Sequence, residues 1–246
     1  MLPPQAVLFD ALGTLVELEP PGPLLRRGLK ARAGVEIGAA EAERAIAAEI
    51  SYYRAHLDEG RDHGSLAALR RRCAEVLRAA LPAAARAIEV GEVEAILLDA
   101  LRFTAFPDAA EAIRAIRRWA ARAIVVSNWD ASLEDVLERL GLAREVDAVV
   151  TSARAGARKP SAAIFARAIE LAGVAPEQAV HVGDSVEEDV AGARAAGIAP
   201  ILLRRDGGPG PPGVRTIASL RELPGELRGV TSGPSGPPQN DHVPWS

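Results

Sequence analysis

Five short apolar runs constrain this chain more than any other feature of its sequence: residues 6–10 (AVLFD), 123–127 (AIVVS), 146–151 (VDAVVT), 179–183 (AVHVG) and 199–203 (APILL). Runs of this length with little polar alternation are the pattern of strands covered on both faces, as in parallel sheets. Helical patterns separate the later runs. Residues 161–172 carry Ile164, Ala168 and Leu171 at helical spacing, and 186–196 stop before Gly197, a residue suited to the left-handed position beyond a helix. Strand alternating with helix from about Phe106 to Leu203 predicts βαβ units with right-handed crossovers. The fold class is therefore α/β, a Rossmann-like three-layer core with a parallel sheet.

Residues 16–102 break that rhythm. After PPGP they read as helices only: Ile46, Ile50, Tyr53 and Leu57 share one face, and after Ser65 as N-cap so do Leu66, Leu69, Cys73 and Leu77. A helical domain is thus inserted after the first strand, splitting the core into 1–15 and 103–228. Pro107 and Asp108 open the helix that leads to the second strand, with Asp108 as its N-cap. Residues 229–246, rich in Gly, Pro and Ser, are expected to be disordered.

Composition excludes several classes. A chain of 246 residues can bury a sizeable core, and its mean hydropathy of +0.06 is that of a globular protein. A net charge of -4 with pI near 5.7 argues against nucleic acid as a partner. No run approaches the ~18 apolar residues of a membrane span, and MLPPQAVLFD has neither the basic start nor the small-residue cleavage site of a secretory signal. The expected setting is cytoplasmic, the expected partner a small-molecule substrate, the expected assembly a monomer or homodimer. Cys73 is the only cysteine, which excludes an internal disulfide and a multi-cysteine zinc site; it is expected to be buried in the insertion.

The chemistry-bearing residues cluster at strand ends. Asp10, followed by Gly13 and Thr14, puts a carboxylate at the mouth of the sheet beside backbone N–H groups; alone, an Asp in D-A-L-G-T can equally be a turn cap. Three further elements follow: Ser127 with Asn128, Lys159 with Pro160, and Gly183 with Asp184 and, five residues on, Asp189. All lie at C-terminal strand ends or in the loops beyond them, where open α/β sheets bind ligands. Lys159 is also one of only two lysines in the chain, with Lys30.

In that order these residues resemble motifs I to IV of the haloacid dehalogenase superfamily, from about Gln5 to Arg228, and the insertion resembles the cap that many members carry between motifs I and II. The resemblance implies a covalent nucleophile at Asp10 and a charge-neutralising role for Lys159. It implies Mg²⁺ held by Asp10, Asp184 and the Leu12 carbonyl, with Asp189 in or near the metal shell. Phosphoryl contacts would come from Ser127 and from backbone amides near Gly13, Thr14 and Asn128. In capped members the loop 56–64 (HLDEGRDHG) often reaches the active site, which makes His56, Arg61 and His63 candidate substrate contacts.

One position departs from the pattern. Phosphatases of the superfamily usually carry a second Asp two residues after the nucleophile as general acid and base; here it is Leu12, and losing such a group typically removes ~10² to 10⁴ of rate. Three functional readings follow. The first is a Mg²⁺-dependent phosphohydrolase of selective or reduced activity on a small phosphorylated metabolite, with a substitute acid or with leaving groups such as acyl or enol phosphates. The alternatives are a 2-haloacid dehalogenase and a non-catalytic protein that keeps the Mg²⁺ and phosphate site. The remaining polar residues have plainer expectations: Asp130 an N-cap, His181 a satisfied core histidine, Glu187 and Glu188 solvated, and Tyr52, Tyr53 and Trp129 packing residues.

Overall fold

The computed structural model describes residues 3–119 and 121–229; the tail from 230 onward, expected to be disordered, lies outside them. Six parallel strands form one sheet: β1 (Ala6–Phe9), β4 (Arg122–Ser127), β5 (Ala148–Thr151), β6 (Ala179–Gly183), β7 (Ala199–Leu203) and β8 (Arg215–Ile217). Their spatial order is β5-β4-β1-β6-β7-β8. β1 is central, with Ala6 in register with Arg122 on one side and Ala179 on the other. The chain adds β4 and β5 on one side of β1, then returns to add β6, β7 and β8 on the other. That reversal is the topological switch point at which open α/β sheets form a crevice.

Period-two alternation within β1 explains why both faces are covered. Val7 and Phe9 join Ile113, Val125, Leu137 and Val182 on one face, whereas Ala6 and Leu8 join Ile124, Val126, Ile164 and Phe165 on the other.

The helices of the insertion run from Pro21 to Ala100 and have a hydrophobic core of their own. Leu25 and Leu29 of Pro21–Ala33, Ile46 of Ala39–His56, Leu69 and Leu77 of His63–Ala80 and Leu97 of Val90–Ala100 pack into it. Cys73 is buried there, as expected. Residues 16–18, expected to open the helical part, instead form strand β2 (Val16–Leu18), paired antiparallel with β3 (Phe103–Ala105). Three-residue strands carry too little pattern to be read from sequence; each exists because the other supplies its hydrogen-bond partners. β8 escaped the sequence reading for the same reason.

Two caps differ from expectation. Helix His63–Ala80 starts at the N-cap Asp62, whose carboxylate accepts from Ser65 N at 2.9 Å, so Ser65 is the third helical residue. Asp108 does hold the N-cap position of Ala109–Arg117, but its side chain makes no cap bond. It accepts from Arg205, the Ser219 hydroxyl and Leu220 N, tying the chain beyond β7 to the core. Among the described residues no helix is long and apolar enough to cross a membrane.

Candidate active site

β4, β1 and β6 are adjacent, so their C-terminal ends bring Ser127, Asp10 and Asp184 to one place, although these residues are more than fifty positions apart in the chain. The Asp10 amide donates to Val182 O at 2.9 Å, which extends the β1–β6 ladder by one bond and fixes the residue at the strand exit. Its carboxylate is gripped on one oxygen only. Oδ1 accepts from Ser127 Oγ at 3.0 Å and from Lys159 Nζ at 2.5 Å, while Oδ2 has no hydrogen bond among the described residues. Two donors on one oxygen orient the group and leave the other oxygen open.

Lys159 is 3% exposed and bridges two carboxylates, its Nζ also lying 2.6 Å from Asp189 Oδ1. Asp189 is nearly saturated: Oδ1 also lies 2.8 Å from His181 Nε2, and Oδ2 accepts from Ser185 N at 2.9 Å. The backbone of Lys159 is clasped by the Asn128 side chain, which accepts from Lys159 N at 2.7 Å and donates to Lys159 O at 3.0 Å. Asn128 therefore spends its side chain on positioning Lys159, a use the sequence reading did not assign to it.

Two glycines permit the close approach of the acids. A Cβ on Gly13, at φ +84°, would lie 2.2 Å from Asp184 Oδ2, and one on Gly183 would lie 2.1 Å from Asp189 Cγ. Carboxylate oxygens of Asp10, Asp184 and Asp189 lie within 4.8 Å of one another. Thr14 is wholly buried, its hydroxyl has no partner, and its carbonyl accepts from Arg205 Nη2 at 2.6 Å. The tight turn at Gly13 carries Thr14 inward, so its hydroxyl does not reach the crevice.

The electrostatics follow from this packing. Burial raises the Asp10 carboxyl to about 6 despite the opposing charge of Lys159, and Asp189 and Asp184 add to the rise. Burial acts to lower the Lys159 ammonium, but the carboxylates of Asp10 and Asp189 override it and hold the proton on nitrogen. Burial likewise opposes ionisation of Asp189, and Lys159 and His181 overcome it, so Asp189 stays well below the usual carboxylate range. Asp184 is raised by partial desolvation and by the charge of Asp189.

A cavity of about 380 Å³ adjoins this centre, between the insertion and the core. Leu12, 39% exposed, and Asn128 line it on the core side; Tyr53, Leu57, Leu69 and Leu97 line it on the other. His56, Arg61 and His63 are not among its lining residues. His56 bonds Tyr52 O and stacks on the Tyr52 ring, Arg61 Nε donates to Asp58 O, and His63 is an exposed first residue of its helix. The loop 56–64 meets the cavity through Leu57 and also ties the insertion to the core. Asp58 accepts from Ser152 Oγ at 2.6 Å and pairs with Arg158, whose guanidinium also donates to Arg54 O at 2.6 Å, and Gly60 O accepts from Ala131 N.

Two other residues, Asp130 and His181, differ from expectation. Asp130 is not the N-cap of Leu133–Arg139, a position held by Ser132; it accepts from Ser132 N at 2.7 Å and from the Tyr53 hydroxyl at 3.0 Å. Tyr53 and Trp129 pack as expected, Trp129 in the core under the sheet and Tyr53 against the core of the insertion, and both also line the cavity. His181 is buried in β6 as expected, but only one ring nitrogen is partnered, and that partner is Asp189. Arg205, which bonds Gly13 O, Thr14 O and Asp108 from beyond β7, was missed; a lone arginine 192 positions away carries no sequence signal for such contacts.

A doubly wound sheet whose switch point presents an oriented aspartate, a buried lysine and a second acidic strand end defines an α/β enzyme with a carboxylate-based centre. The model of the haloacid dehalogenase-like hydrolases matches residues 4–197, and the chain belongs to that family of hydrolases. A 67-residue stretch is 42% identical to the glyceraldehyde 3-phosphate phosphatase of Methanopyrus kandleri, covering 27% of this chain and 29% of that protein, less than a third of the relative's length. Among solved structures, a HAD phosphatase from Thermococcus onnurineus is 25% identical with a TM-score of 0.63, over 91% of this chain and 97% of its own. A 2-haloacid dehalogenase from Pseudomonas syringae pv. Tomato shares the fold at 24% identity and TM-score 0.66, over 93% and 99%.

Proposed function

We propose that this chain is a phosphohydrolase that works through Asp10 on a small phosphorylated metabolite. The observation that carries the reading is the second acid, Asp184, brought against Gly13 within reach of Asp10. Three carboxylates facing one ammonium leave the cluster short of positive charge, and an all-oxygen donor set suits a hard divalent cation. Asp10, Asp184 and the Leu12 carbonyl, which accepts no backbone bond among the described residues, would hold Mg²⁺. The ion would supply charge neutralisation for the incoming phosphoryl group. Asp189, with its oxygens taken by Lys159, His181 and Ser185, serves to hold Lys159 in place.

Asp10 Oδ2 attacks phosphorus as the bond to the leaving oxygen breaks, giving an aspartyl phosphate. Water then attacks that phosphorus, the P–O bond to Asp10 breaks, and the water's proton leaves with the inorganic phosphate, regenerating the Asp10 carboxylate. Lys159 stays protonated between Asp10 and the transferred group and offsets its charge. Leu12 has no proton to give, so leaving groups that depart as stable anions, such as acyl or enol phosphates, are favoured over alkoxides. The inserted helices act as a cap over this centre, closing it from water. The other reading, a 2-haloacid dehalogenase, draws on the apolar Leu12, because halide needs no proton; against it, Asp184 would repel a substrate carboxylate.

A screen of acyl phosphates, phosphomonoesters and 2-haloacids with and without Mg²⁺, on wild type and Asp10→Asn, tests the proposal. The expected result is Mg²⁺-dependent phosphate release, strongest with acyl phosphates and absent in Asp10→Asn. Halide release indifferent to EDTA would overturn it in favour of the dehalogenase.

A further inference from the structure

The cavity beside the active site has a composition that speaks to the organic part of the substrate. Its wall is aliphatic and aromatic, including Leu12, Ile50, Leu69, Leu97, Phe103 and Trp129, and its size is within the range of small-ligand sites. It adjoins the reacting centre on two counts. Leu12 is two residues from Asp10, and Asn128, which clasps Lys159, lines it as well.

The polar lining is sparse and unequal. Arg54 and Arg139 are exposed and Arg70 half-buried, whereas Glu49 and Asp130 are buried. Asp130 is occupied by the Tyr53 hydroxyl and Ser132 N. Glu49 is not: it is 2% exposed, and its neighbour Cys73 offers only a thiol, a weak donor. A buried acceptor so poorly satisfied gains from a ligand donor, and burial already pushes its pKa up to about 7.

We propose that the cavity receives the organic part of the substrate's leaving group, largely apolar and carrying one hydroxyl-type donor besides the phosphate-linked oxygen, and that Glu49 is the specificity-determining residue that accepts from it. This deepens the phosphohydrolase reading and rests on it for the position of the phosphoryl group.

Non-hydrolysable phosphonates separate binding from turnover. Calorimetry on the Mg²⁺-loaded protein would compare alkylphosphonates from methyl to octyl with their ω-hydroxy counterparts, for wild type, Glu49→Leu and, as a variant that keeps shape and polarity, Glu49→Gln. Wild-type affinity is expected to rise about three- to four-fold per methylene until the cavity is filled. An ω-hydroxyl at the favoured length should add roughly ten-fold. Glu49→Leu should lose the hydroxyl preference while keeping the chain-length dependence, and Glu49→Gln should keep part of both; unchanged circular dichroism shows that the variants fold.

Methylphosphonate binding as tightly as octylphosphonate would overturn the cavity assignment and leave the phosphohydrolase reading standing. A preference for ω-carboxylate over ω-hydroxyl would overturn the role of Glu49 and assign the polar end to Arg70. If 2-chloroalkanoates bind with the same chain-length dependence while no phosphonate binds, the phosphohydrolase reading fails and the apolar assignment survives. Failure of both series overturns both.

Discussion

Glu49 also allows the energetics of the insertion to be tested apart from catalysis. It is nearly closed to solvent, and burial raises its carboxyl from 4.5 to about 7. An acid whose folded pKa lies above its unfolded value binds more protons in the folded state between those two values, so stability falls as pH rises through that window. At 1.36 kcal/mol per pH unit, the interval from 4.5 to about 7 corresponds to roughly 3 kcal/mol. The contribution is fully favourable below pH 4.5 and fully lost above about 7.

Glu49→Gln keeps the volume and removes the titration. Urea unfolding followed by circular dichroism at several pH values from 4.5 to 8 should show the variant gaining on wild type by about 2 to 3 kcal/mol across the range. Cys73, whose thiol burial pushes up to about 12, stays protonated throughout and adds no slope. Parallel stability curves for the two proteins would refute the reasoning, because Glu49 would then be solvated or paired in the folded state.

The remaining predictions concern the acidic centre. Lys159→Met should leave Asp10 and Asp189 buried without their cation, lowering stability by about 3 to 5 kcal/mol by thermal or urea unfolding and abolishing turnover; an unchanged melting temperature would show that the pair is not buried as described. Leu12→Asp should raise kcat/KM on alkyl phosphates by roughly ten-fold or more, with little change on p-nitrophenyl phosphate, whose leaving group needs no proton. A folded variant with no gain on any alkyl phosphate would mean that another donor serves, or that phosphoester hydrolysis is not the task.

Much of this was legible in the sequence because it rests on local pattern. The core strands announce themselves as apolar runs bounded by turn residues, since a strand covered on both faces needs no polar alternation. Asp10, Ser127, Lys159 and Asp184 could be picked out because strand C-termini are where an open sheet has unfilled space. The short strands β2, β3 and β8 were invisible for the converse reason: three residues stabilised by a distant partner leave no periodicity of their own.

What only the tertiary structure decided is how side chains are spent. Sequence singled out Asn128 and Thr14 only for their backbone amides, whereas packing shows that the Asn128 side chain clasps the Lys159 backbone and that the Thr14 side chain is buried by the turn at Gly13. The charged loop 56–64 holds insertion to core and meets the cavity through Leu57, and most of the cavity's other apolar lining residues look in sequence only like packing. A hydrophobic face reads the same whether it meets another helix or an empty space. Helical spacing fixes which residues share a face, and only the packing of one element against another fixes what that face meets.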